Sequence, residues 1–315
     1  MSGRFLENPA YVEYERMTLR LHRLISEGKD ESDEADHLRE RMDAPWNKLN
    51  AEERDRLDGV VMDLAPPPSA VGSNDAFPGQ IDVAALDHAR AIAYQRREWP
   101  RFLQLMRNAP TDLSPAFVAF SRYRAYEGLG HLEVALEFLR RAELLQPKDN
   151  YKGLMLELLR ELNQFDEAVA RALQYIDDSR SSANLIVAAA GALFASTRTI
   201  SHEEARPRLE VAATALSKVL EGEAVAIRDP DARMAALVLL GLCKESINDF
   251  AGAEAAYNAA SLVDPESQVV KSAKATLAAQ IKRAAAGPGM LGSERALREK
   301  RYQIAQSVDL YMQAA

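Results

Sequence analysis

The chain has 315 residues, 47% of them hydrophobic, which is enough apolar content for a sizeable core and too much for a disordered chain. Its formal net charge of −8 argues against nucleic acid as a partner, because displacing phosphate counterions takes clustered Lys and Arg. A single cysteine, Cys243, excludes an internal disulfide; without a basic-then-apolar leader or a membrane-length apolar run, a cytoplasmic protein that does not engage a membrane is expected.

Aromatics are sparse at 7%, while Ala, Leu, Glu and Arg dominate, so the prediction is all-α. Residues 1–64 are expected to form an N-terminal helical unit. Tyr11, Tyr14, Thr18, Leu21 and Ile25 recur at three- and four-residue steps, and Gly28 stops that helix. Ala35, Leu38, Met42 and Trp46 continue the spacing in a second helix, which Pro45 ends or kinks for want of an N–H. Asn50 with Glu53 three residues on is a capping pair for a third helix, whose buried face is read as Leu57, Val60, Val61 and Leu64. Residues 65–80, with Pro66–Pro67–Pro68 followed by Gly, Ser, Asn and Asp, are read as a semi-rigid linker.

From Ile81 the chain reads as helix pairs. Five are expected, over residues 82–109, 116–149, 150–179, 183–221 and 231–262, with the fourth lengthened by an insertion around 197–201. Residues 268–315 then supply two capping helices. The first carries Val270, Ala273, Leu277 and Ile281 on one side, and the last carries Leu297, Ile304 and Tyr311 at seven-residue steps.

Two of the pairs carry the same punctuation. Tyr126, Gly130, Ala135, Ala142 and Pro147 stand at the offsets of Lys244, Asn248, Ala253, Ala260 and Pro265, and the later copy adds Leu240–Gly241 and Tyr257. Where two antiparallel helices cross closely the residues must be small, which is the role read for Gly241, Ala253, Ala260, Ala135 and Ala142. Tyr126, Leu240 and Tyr257 fill the space around them, and Pro147 and Pro265 end their helices. Tyr123 replaces the small residue that Gly241 provides, so that pair is expected to splay or to swing Tyr123 outward. Over residues 82–267 this pattern resembles the tetratricopeptide repeat (TPR) family, strongly in two copies. The resemblance implies a right-handed α-α superhelix of helical hairpins whose concave groove, lined by the first helix of each pair, takes a peptide or helix of a partner protein.

Carrying that groove over by position gives Asp87 and Tyr94, Phe117, Phe120, Arg124 and Glu127, Glu157 and Arg160, and Asn184 and Phe194. The Lys/Asn quartet with which some members of the family grip a C-terminal carboxylate is absent. Phe117 and Phe120 are instead read as apolar anchors and Arg124 as an orienting charge, in an adaptor, scaffold or assembly factor. An alternative rests on charge: residues 1–64 hold 10 Lys/Arg against 16 Asp/Glu, while residues 268–315 hold 8 against 3. Basic C-terminal helices docking on the acidic N-terminal unit of a neighbour would make a self-associating homo-oligomer.

No enzymatic activity is expected. Gly287–Pro288–Gly289–Met290–Leu291–Gly292 fits the letters of a phosphate-cradling G-x-G-x-x-G, but a charged helix rather than a strand precedes it. His22, His37, His88, His131 and His202 lack ligand spacing for a metal, and no Ser–His–Asp set can be assembled. Catalytic residues, metal and cofactor are therefore all predicted to be none; a polar pocket walled by His88 or His131 with acids in reach would overturn that reading.

Overall fold

The computed structural model describes residues 5–65, 83–107, 113–222, 227, 229–286 and 291–314. Among these residues the protein is all-α, with no strand. It divides into two compact units, Met1–Pro147 and Lys148–Ala315. That boundary falls inside the segment 81–267 and places the first three helices in the same unit as the first two hairpins. Residues 66–80 of the expected linker at 65–80 and the Gly–Pro–Gly break at 287–289 lie outside the described residues.

The first unit contains α1 (Pro9–Ser26), α2 (Asp33–Trp46), α3 (Ala51–Leu64), α4 (Val83–Gln95), α5 (Trp99–Arg107), α6 (Pro115–Gly128) and α7 (Leu132–Leu145). The helix starts follow the sequence signals. Asn50 and Glu53 form a complete capping box on α3, and Ser32 and Ser114 accept from backbone N–H groups three residues on, satisfying donors that a helix start leaves free. Pro45 stands in the last turn of α2, one residue before its end. Two expectations need correcting. Val61 is 45% and Ile25 49% exposed, because α3 turns Gly59 and Asp63 inward and α1 buries Tyr11, Thr18 and Leu24 instead.

The second unit contains α8 (Asp149–Glu161), α9 (Phe165–Asp177), α10 (Ala183–Ser196), α11 (His202–Glu221), α12 (Pro230–Ser246), α13 (Phe250–Val263), α14 (Gln268–Ala286) and α15 (Leu291–Ala314). One continuous apolar core runs from Leu156 through α10, α12 and α13 to Val308. One close crossing is at Gly241, where a Cβ would lie 2.2 Å from Cε1 of the Tyr257 ring. Ala253, Ala256 and Ala260 line the same crossing and are buried, as is Leu240. Pro265 and, in the first unit, Pro147 stand just beyond the ends of α13 and α7. On α14, Val270, Ala273 and Leu277 are buried as expected, while Ile281 is exposed.

The hairpins share a turn that the repeat pattern only partly announced. Gly130 (φ 83°) and Asn248 (φ 67°) adopt the left-handed conformation, and so do Arg97 (φ 55°) and Asn163 (φ 56°), after the first helices of two other pairs. In each case the next N–H reaches back to close the helix: His131 to the Tyr126 carbonyl at 2.9 Å, Asp249 to Lys244 at 2.9 Å, Glu98 to Ala93 at 2.8 Å and Gln164 to Leu159 at 2.8 Å. This arrangement satisfies carbonyls that the helix end leaves free. Residues 197–201 break the series, with a short 3-10 turn over Thr197–Thr199 joining α10 to α11.

In the first unit's α6–α7 hairpin, Ala135 and Ala142 are fully buried and Tyr126 stacks on Phe138, with ring centroids 5.4 Å apart. Of the two outcomes expected, Tyr123 does not take the outward one. It is fully buried, its ring 5.4 Å from that of Phe120, and its hydroxyl donates to Glu127 at 2.6 Å. A small residue of a different kind serves the neighbouring crossing: a Cβ on Gly128 would meet the Trp99 indole at 2.2 Å, so α5 and α6 approach closely there.

Candidate functional site

On α6, Phe117, Phe120, Arg124 and Glu127 follow steps of three and four residues and share one side of the helix. Phe117, in the first turn, is 51% exposed. Arg124 donates to Glu127 at 2.7 Å and lies 5.8 Å over the Tyr123 ring. Burial works against its charge, but the Tyr94 hydroxyl and Glu127 hold the Arg124 guanidinium above the ordinary arginine range. Arg124 thus stays charged beside Glu127 and the Tyr94 hydroxyl of α4. Tyr94 is itself 39% exposed and packs edge-on against Trp99 and Phe102 of α5. Asp87, one turn or more before Tyr94 on α4, is exposed and paired with Arg90 at 2.8 Å.

The candidates of the second unit have a different setting. Glu157 and Arg160 on α8 line a cavity of about 510 Å³ together with Phe165, Arg198 and the α15 residues Tyr302, Ala305 and Gln306. Asn184 is exposed in the first turn of α10. Phe194, read as a groove residue, is only 1% exposed, because the Tyr302 ring lies over it at 5.2 Å. The first helices α8, α10, α12 and α14 are neighbours, and α15 packs across α10, α12 and α14. At Phe194 this face is thus covered by the chain's own last helix.

Of the heptad steps of α15 Ile304 is buried, as is Val308 one turn on, so the helix docks, but the spacing gave no sign of where. Tyr311, the third of those steps, lies outside the side chains described. The polar residues that fix α15 were missed. Arg301 reaches Glu245 of α12 at 3.5 Å and also donates to Gln280 of α14. Arg298 donates to the Ile200 carbonyl at 2.8 Å, and the hydroxyls of Tyr302 and Thr197 are 2.7 Å apart. Glu245 is fully buried and accepts from Tyr257 at 2.9 Å. Burial pushes its carboxyl above the usual range, against the opposing pull of Arg301.

Two buried polar groups in the first unit hold the fold. Asp63 is fully buried at the end of α3 and accepts from Arg107 of α5 at 2.9 and 2.8 Å and from the Tyr126 hydroxyl at 2.7 Å, with Arg122 at 3.4 Å. His131 faces Glu15 of α1 at 2.5 Å, so a histidine does have an acid in reach. Both are buried and neither lines a described cavity, so the pair ties α1 to the start of α7 rather than facing a pocket. The Cys243 thiol is fully buried and pushed up to about 12 by desolvation, which leaves it protonated and unreactive near neutrality. Among the described residues no cluster of His, Cys, Asp or Glu has the makings of a metal site, and no helix is long and apolar enough to cross a membrane.

No family model matches the chain, and no curated protein matches it. Among solved structures, MamA AMB-1 is similar, with a TM-score of 0.40 and 15% identity over 59% of this chain and 100% of that one.

Proposed function

We propose that this chain is a protein-interaction scaffold that takes a peptide or helix of a partner on the α4–α6 surface of its first unit. The observation that carries the reading is the pairing of an exposed aromatic anchor, Phe117, with an arginine on the same side of α6 that is bonded to Glu127 at 2.7 Å. An exposed ring offers a partner apolar area at little entropic cost, and a pre-positioned guanidinium orients an acidic or carbonyl group without first having to be ordered. The Asp87–Arg90 ion pair at the other end of the surface adds polar groups, favouring a segment of mixed polarity. Self-association through the basic C-terminal helices draws less support, since Arg298 and Arg301 are engaged within the second unit.

Replacing Phe117, Phe120 and Arg124 together by Ala is the experiment. Co-purification from cell extract is expected to lose at least one protein that the wild-type chain retains, at unchanged helicity by circular dichroism. An unaltered set of captured proteins would defeat the reading.

A further inference from the structure

The first unit carries a second concavity, away from the residues of the α4–α6 surface. It runs along one side of α1, where Pro9, Val12, Glu13, Arg16, Met17 and Arg20 follow steps of three and four residues. Leu38 and Arg41 of α2 form the other wall, and the cleft encloses about 480 Å³. Small-molecule sites fall in the range of roughly 300–1,000 Å³. The floor is apolar. Met17 and Leu38 belong to the buried cluster between the two helices, each 6% exposed, and Val12 lines the same cleft half-buried.

Three guanidinium groups stand over that floor. Arg20 donates to Glu34 of α2 at 3.1 Å, and the Tyr14 and Trp46 rings are 5.0 Å apart, so the antiparallel register places Arg41 opposite the turn of α1 that holds Arg16 and Met17. Arg16 and Arg20 are engaged in ion pairs with Glu133 and Glu34, which do not line the cleft, and the two arginine side chains are 64% and 63% exposed. Exposed pairs of this kind contribute little and exchange readily for another carboxylate. Arg41 pairs with no acid among the described residues. Glu7 and Glu13 line the opposite, N-terminal end. The cleft is therefore polarised, with guanidinium groups at one end, carboxylates at the other and apolar side chains between them.

We propose that the α1–α2 cleft binds a small amphiphilic monoanion, an aliphatic monocarboxylate whose head is taken by Arg16, Arg20 and Arg41 and whose chain lies on Val12, Met17 and Leu38. A carboxylate matches the fork of a guanidinium, and the chain covers apolar surface that water otherwise wets. A second anionic group at the far end would meet Glu7 and Glu13, which excludes a dicarboxylate. The C-terminus of a protein would bring amide groups onto a floor of Val12, Met17 and Leu38 that offers them no polar side chain, which favours the plain aliphatic chain. The site shares no residue with the α4–α6 surface, so the two readings stand or fall separately.

Octanoate titrated calorimetrically into the full chain is the probe. One saturable site is expected, weakened about tenfold by Arg41→Gln, the loss of one hydrogen bond to a charged group. Arg39→Gln, on α2 but outside the cleft, is expected to leave the affinity unchanged. Arg41 is exposed, so its variant is expected to unfold at the same denaturant concentration as the wild type. Octanol, without the charge, and octanedioate, with a second one, are each expected to bind about tenfold or more weakly than octanoate. Absence of saturable binding, an Arg41→Gln chain that binds as well as the wild type, or octanol or octanedioate binding as tightly as octanoate overturns the proposal. Tighter binding of acetyl-alanyl-leucine than of octanoate overturns it as well, by assigning the cleft to a chain terminus.

Discussion

Gly241→Leu is expected to be the most damaging single substitution in the second unit, lowering its stability by about 3 kcal/mol, the upper part of the range for overpacked cores. The reason is distance. Even a methyl group at this position would sit 2.2 Å from the Tyr257 ring, and the ring is held from the far side by its hydroxyl bond to the buried Glu245. Tyr257 can yield only by breaking that bond, which strips Glu245 of one of its two donors and loosens the contact between α12 and α15. Denaturant unfolding of the variant checks this. Adding Tyr257→Ala to Gly241→Leu is expected to restore part of the loss, because the space vacated by the ring accepts the new side chain. A cost below about 1 kcal/mol would mean that α12 and α13 separate freely and that the crossing is not close-packed.

Asp63→Ala is expected to destabilise the first unit by about 3–5 kcal/mol, the cost of leaving buried charges without their partner. Asp63 is fully buried, and the substitution strands Arg107, Arg122 and the Tyr126 hydroxyl together. Asp63→Asn is expected to fall between the wild type and Asp63→Ala, since an amide oxygen still accepts a hydrogen bond without matching the two cations. Because the pairs are shielded from solvent, raising the salt concentration should change the difference little, unlike the surface pair of Arg20 with Glu34. Unfolding curves at low and high salt measure both effects; a small loss that disappears in salt would show that Asp63 is solvated and that α3 is only loosely attached.

Much of the scaffold could be read from the sequence because it depends on local rules. The capping pair Asn50–Glu53, small residues at 135, 142, 241, 253 and 260 and the stops at Pro147 and Pro265 each declare themselves within a few residues. The left-handed turns at Arg97 and Asn163 were missed because only glycine advertises that conformation unambiguously, and these residues adopt it under the constraint of the hairpin. Tyr123 was left with two outcomes because a large residue at a crossing position can be buried or turned out, and its burial depends on Phe120 and Glu127 on the same helix. The Asp63 cluster joins three helices through residues far apart in the chain, and no spacing rule links 63 to 107, 122 and 126. Phe194 was placed on the correct helix, yet its covering by Tyr302 is a contact more than a hundred residues distant in sequence. Within the first-unit candidate surface, the α6 residues came from the family resemblance by position, whereas the link from Arg124 to Tyr94 joins residues 30 apart in the chain and no spacing rule announces it.

The scaffold reading is tested most directly by photo-crosslinking in living cells from position 117, with a photoreactive residue in place of Phe117 and, as a control in the same unit, in place of Met62, which is more exposed than Phe117. The account predicts a discrete protein adduct from position 117 that is absent from position 62. No adduct from 117, or the same adducts from both positions, would contradict it.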